Sequence, residues 1–140
     1  MTCSPFPPAP EAIEPNNFHF WFERGEQFFK KKQYAEALEC YDRALDSDPD
    51  NVQAWLCHGG TLTHLDRYVQ AVISFEAALH IEPDNKVALL YKGFALQHIG
   101  QYEQAYLLYD RARGIQRNPI SSQLQRWGHK ILDAVGFREK

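Results

Sequence analysis

Two histidines, His64 and His98, stand 34 residues apart, each directly after a hydrogen-bonding side chain, Thr63 and Gln97. Imidazoles brought together from neighbouring helices could hold a metal or exchange a proton near neutrality. No Cys or carboxylate at ligand spacing joins them, so a metal site has no constellation to rest on. His58 follows Cys57 directly, and adjacent residues on a helix point to different faces. The 3 cysteines are an odd number without dense spacing, which fits a reducing compartment better than a disulfide scaffold. Cys40 and Cys57 fall in helical patterns and read as small core residues. Cys3, outside any such pattern, is the more reactive thiol. Neither a phosphate-cradling glycine loop nor a Gly-x-Ser-x-Gly elbow occurs. The expectation is therefore no enzyme, no catalytic residue, no metal and no cofactor, with the histidines as polar lining of a binding surface.

The elements that position these residues come from a chain of 140 residues, 44% hydrophobic and 14% aromatic, enough to bury a core. With 15 basic and 18 acidic residues the net charge is −3, which argues against a generic nucleic-acid binder. No apolar run approaches the roughly 18 residues of a membrane span. Met1–Pro8 shows no basic region followed by an apolar one, so no secretory signal is expected and the expected location is cytoplasmic.

One period organises the chain. Gly25, Gly59 and Gly93 are 34 residues apart, as are Tyr34, Tyr68 and Tyr102; Ala37, Ala71 and Ala105; and Ala44, Ala78 and Ala112. Tyr41, Phe75 and Tyr109 keep an aromatic in register, and Trp21, Trp55 and Leu89 a large apolar residue four places before each glycine. Pro49 and Pro83 close the first two units. Within the second unit, Trp55, Gly59 and Leu62 recur at helical spacing, and so do Ala71, Phe75 and Ala78. Each unit thus predicts two helices that approach closely where Gly and Ala face an aromatic. Pro49-Asp50-Asn51 and Pro83-Asp84-Asn85 end one helix and offer a cap to the next.

The 34-residue unit resembles the tetratricopeptide repeat family. Repeat one spans 18–51, repeat two 52–85 and repeat three 86–119. The third departs at Leu89, where the others have Trp, and at Arg117, where the others have Pro. The resemblance implies an all-α, right-handed solenoid of three helix-turn-helix units. After Pro119 the stripe Ile120, Leu124, Trp127, Ile131, Val135 predicts a seventh helix over 119–135, so that 120–140 forms a cap and a short basic tail. Residues 1–17 hold 5 prolines and no apolar period, and read as an extended tail.

The resemblance also implies a concave groove lined by the first helix of each unit. Carried over by position, it presents His19, Phe22, Glu26, Phe29 and Lys30, then Gln53, Leu56, Gly60, Thr63 and His64, then Val87, Leu90, Phe94, Gln97 and His98. Phe22, Leu56 and Leu90 form an apolar ladder, extended by Phe29, Val87 and Phe94. An apolar patch of this kind suits a protein partner, as an apolar helix or extended segment. Phe22, Glu26, Leu56, Gly60 and Tyr91 occupy the places where clamp-type members of the family hold a chaperone's carboxylate tail, which argues against that use. The expected function is a non-catalytic adaptor or scaffold. Two alternatives stay open. One is self-association into a homo-oligomer, with the groove filled by the chain's own tail around Phe6 or by a neighbour's helix. The other is an anion-binding surface at the basic end. Residues 1–85 carry 14 acidic and 6 basic groups, a net of −8, whereas 111–140 carry 2 acidic and 7 basic, a net of +5. Arg111, Arg113, Arg117, Arg126, Lys130, Arg138 and Lys140 supply that charge.

Overall fold

The computed structural model describes residues 17–115 together with Trp127, Lys130, Ala134 and Gly136. Six helices run in chain order: α1 Phe18–Lys30, α2 Tyr34–Ser47, α3 Val52–His64, α4 Tyr68–Ile81, α5 Lys86–Ile99 and α6 Tyr102–Ala112. No strand occurs among the described residues. Each helix packs on the next in the chain, and α3 also touches α5, so the molecule is an α-solenoid in which each unit meets its neighbours.

The period of 34 reappears in the helix ends. Asn17, Asn51 and Asn85 cap α1, α3 and α5, and their side chains accept hydrogen bonds from the backbone N–H of Phe20, Ala54 and Ala88. Each cap satisfies a donor that the helix itself cannot. The turn inside each unit needs one residue with positive φ. Lys32, Asp66 and Gly100 supply it, at φ 59°, 58° and 95°. Only the third unit has glycine, the residue that adopts this conformation without steric cost.

Close approach of the two helices in a unit is fixed by glycine against an aromatic ring 16 residues later. A Cβ at Gly25 would lie 2.7 Å from the Tyr41 ring, one at Gly59 2.6 Å from Phe75, and one at Gly93 2.6 Å from Tyr109. Around these contacts sit two apolar clusters: Trp21, Cys40 and Ala44, covered by Phe18, Phe20, Phe22 and Phe28; and Leu62, Ala71, Phe75 and Ala95, covered by Leu38, Leu56, Tyr68 and Val72. The second cluster joins repeats two and three, because Ala95 belongs to α5.

A polar brace recurs at each junction between units, again between residues 16 apart. His58 Nε2 lies 2.7 Å from Asp42 Oδ1, and Lys92 Nζ lies 3.3 Å from Glu76 Oε1. In both, the seventh residue of one unit meets the twenty-fifth of the unit before. His58 Nδ1 also lies 2.7 Å from Ser74 Oγ, so one imidazole ties α2, α3 and α4.

Trp127, Lys130 and Ala134 are helical, and the rest of the expected seventh helix lies outside the described residues. Trp127, expected on the covering stripe, is 68% exposed. It shares its face with Lys130 and Ala134, both exposed, and periodicity can place a residue on a face without deciding what that face meets. The expected tail, with Cys3 and Phe6, also lies outside the described residues.

Candidate functional site

The first helices of the three units form one wall of a cleft of about 450 Å³. Of the residues expected there, Glu26, Phe29, Gln53, Leu56, Thr63, His64 and Val87 line it, together with Lys30 and Gly60. Leu90 and Phe94 lie outside the cleft on α5, 44% and 41% exposed. With Val87 and Tyr91 they follow i, i+3, i+4, i+7, one continuous apolar stripe on the solvent side of α5. The opposite side of the same helix is buried through Ala88, Leu89, Ala95 and Leu96. Helix α5 is therefore apolar on two faces, and one face has no cover among the described residues.

Phe22 is placed differently. Its ring stacks on Phe18 at 5.4 Å and tilts against Tyr41 at 5.8 Å, within repeat one. The lower rung of the expected ladder is thus engaged in packing. The polar candidates are also partly committed. Thr63 Oγ1 donates to the Gly59 carbonyl, Gln97 Oε1 accepts from the Tyr109 hydroxyl, and Gln53 donates to Cys57 Sγ.

His64 and His98 do not meet each other. His64 stacks flat on Tyr34 at 4.7 Å, with Phe29 edge-on at 5.3 Å. His98 stacks flat on Tyr68 at 4.5 Å, with Phe94 edge-on at 4.5 Å. Each imidazole therefore lies across a junction between units, on the first residue of the preceding unit's second helix. His64 also reaches the cleft.

Three cleft residues escaped the sequence reading: Tyr41, Cys57 and Tyr91. Cys57 and Tyr91 share the sixth place of their units, one turn after Gln53 and Val87, so a stripe drawn one residue wider finds both. Tyr41 left no such signal, because it belongs to a second helix and its ring is core against Gly25. Its buried hydroxyl sits beside Cys57. Burial, with neighbouring Cys57 and Glu26, holds the Tyr41 phenol protonated. Burial and Glu26 raise the Cys57 thiol as well, and burial pushes Cys40 up to about 11 from 9.0. These groups are uncharged near neutrality and poor nucleophiles, since the thiolate is the reactive form.

Asp42, His58 and Ser74 are joined in one hydrogen-bonded series, as in some hydrolases, but Ser74 is only 2% exposed and its hydroxyl also reaches the Gln70 carbonyl. A nucleophile buried in a helix cannot meet a substrate, so the series is a brace. Among the basic residues, Arg111 is already held by the Pro83 carbonyl and Asp84. Arg117, Arg126, Arg138 and Lys140 lie outside the described residues.

Residues 20–51 match the tetratricopeptide repeat family. No curated protein matches the sequence. Among solved structures, the first tetratricopeptide-repeat domain of Spaghetti (RPAP3), bound to the HSP90 peptide SRMEEVD, is similar with a TM-score of 0.69. It is 21% identical over 89% of this chain and 99% of that one. The Arabidopsis OM64 domain gives 0.67 at 21% identity, over 78% of this chain and 91% of that one. MamA gives 0.70 at 17% identity over 73% of this chain, which spans 60% of MamA. At such identities the likeness is one of fold. No described helix is long and apolar enough to cross a membrane.

Proposed function

We propose that this tetratricopeptide-repeat chain is a non-catalytic adaptor that holds an apolar segment of a partner protein along α5 and the adjoining cleft. The observation that carries the reading is the uncovered stripe Val87, Leu90, Tyr91, Phe94 beside the cleft. The likeness in fold to domains that hold a peptide supports it. A helix bearing apolar residues at i, i+3, i+4 and i+7 matches the stripe in period. Glu26, Lys30, Gln53 and His64 border the apolar floor and set the register of the bound segment.

The acidic peptide carried by the Spaghetti domain is not the ligand we propose here. Leu56, Gly60 and Tyr91 give its carboxylates no cation, and Glu26 repels them. The adaptor works in the cytoplasm, where the thiols of Cys40 and Cys57 stay reduced.

The test is Leu90→Glu combined with Phe94→Glu, both at exposed positions. Crosslinking mass spectrometry from native extract should show the partner links at the cleft lost in the double variant, while its helical circular dichroism is unchanged. Cleft links that persist in a folded double variant sink the reading.

A further inference from the structure

In repeats two and three, the first helix meets the preceding unit through its third, seventh and eleventh residues. In α3 these are Ala54, His58 and Leu62; in α5 they are Ala88, Lys92 and Leu96. All six are used. The alanines and leucines are buried, and His58 and Lys92 pair with Asp42 and Glu76 of the unit before. In α1 the same places hold Phe20, Arg24 and Phe28. Two aromatic rings stand where later units have alanine and leucine, and the Arg24 guanidinium lies 5.7 Å and 5.9 Å from their centres. No helix precedes α1 among the described residues, and none of the three lines the cleft. By register this is a stacking face, built for a layer that the repeats themselves do not provide.

We propose that residues 1–16 of the chain supply that layer, lying along α1 over Phe20, Arg24 and Phe28 and away from the cleft. Reach permits it. An extended proline-rich strand rises about 3.1 Å per residue, so 16 residues span roughly 50 Å, whereas the 13 residues of α1 are about 20 Å long. Composition favours it. Pro5, Pro7, Pro8, Pro10 and Pro15 lack an N–H, so a segment rich in them can press on aromatic faces with few stranded donors. Phe6 and Ile13 add apolar surface. Charge favours it too. The segment carries Glu11 and Glu14 and no Lys or Arg, and the face it covers carries Arg24 and runs into Lys30, Lys31 and Lys32. Folded back from Asn17, Glu14 reaches the level of Arg24 and Glu11 the level of the lysines. The layer ends the stack at its first unit, and it stands whatever the cleft binds.

Zero-length carbodiimide crosslinking of the full wild-type chain tests this, because it joins only carboxylates and amines already in contact. Intramolecular links from Glu11 or Glu14 to Lys30, Lys31 or Lys32 are expected in the monomer. Replacing both carboxylates, Glu11→Gln with Glu14→Gln, should abolish them. Links from Glu11 or Glu14 to Lys86 or Lys92 would instead put the segment in the groove and overturn the proposal. So would links found only between copies in a mixture of ¹⁴N and ¹⁵N protein, which would make a second molecule the cover. An absence of any such link overturns it as well.

Discussion

Gly59 and Gly60 are neighbours on one helix, and the fold asks opposite things of them. A Cβ at Gly59 meets the Phe75 ring at 2.6 Å, and that ring is fully buried and cannot retreat. Nothing lies within 4 Å of a Cβ at Gly60. Alanine gains about 1 kcal/mol over glycine inside a helix wherever space allows. At Gly59 overpacking costs about 1–3 kcal/mol, which equals or exceeds that gain. Thermal unfolding should therefore show a lower midpoint for Gly59→Ala and a higher one for Gly60→Ala. Equal shifts of one sign would mean that the glycine–aromatic contact does not set the helix spacing. At the same scale, His64 and His98 change meaning. Their spacing suggested paired imidazoles; each is instead stacked on a tyrosine.

At the scale of elements, the junctions between units carry one polar brace each, of different strength. His58 is largely buried, and losing Ser74 Oγ leaves its ring nitrogen without that partner, at a cost of about 1–3 kcal/mol. Against this, Ser→Ala in a helix returns at most about 0.5 kcal/mol. The Lys92–Glu76 pair is more open, with Glu76 54% exposed, and such pairs contribute about 0.2–1 kcal/mol. Urea denaturation should rank Ser74→Ala as the larger loss and Glu76→Gln as the smaller, with added salt reducing only the second. The reverse ranking would show that the His58 series does not tie α2, α3 and α4 together. The brace was legible in the sequence as a 16-residue spacing of opposite charges, Lys92 with Glu76. The His58–Asp42 version was not, because imidazole next to Cys57 suggests ligation before it suggests a strut.

The whole molecule is a short stack in which stability is shared between neighbours. A chain ending at Asn85 keeps two units but uncovers Tyr68 and Val72, which now pack against the cluster that includes Ala95 of α5. Nearest-neighbour stacking predicts a lower urea midpoint and a shallower transition for that chain by circular dichroism. An unchanged midpoint would mean that the units fold independently. The cleft is a property of this scale too, since α1, α3 and α5 each contribute to its lining and no single repeat contains it.

The 34-residue register by itself determined the helices, their Asn caps, the glycine–aromatic contacts and the order of stacking. These depend on residues close in sequence, or on one contact repeated at fixed spacing. Residue type and position also placed Glu26, Phe29, Gln53, Leu56, Thr63, His64 and Val87 at the cleft. Only the tertiary structure decided which of the expected groove residues are spent. Phe22 is turned onto Phe18 and Tyr41, Gln97 is held by Tyr109, and Tyr41 reaches the cleft from a second helix. Each outcome depends on where a neighbouring helix puts its side chains. A repeat period specifies which face a residue occupies, and packing between units specifies what that face touches.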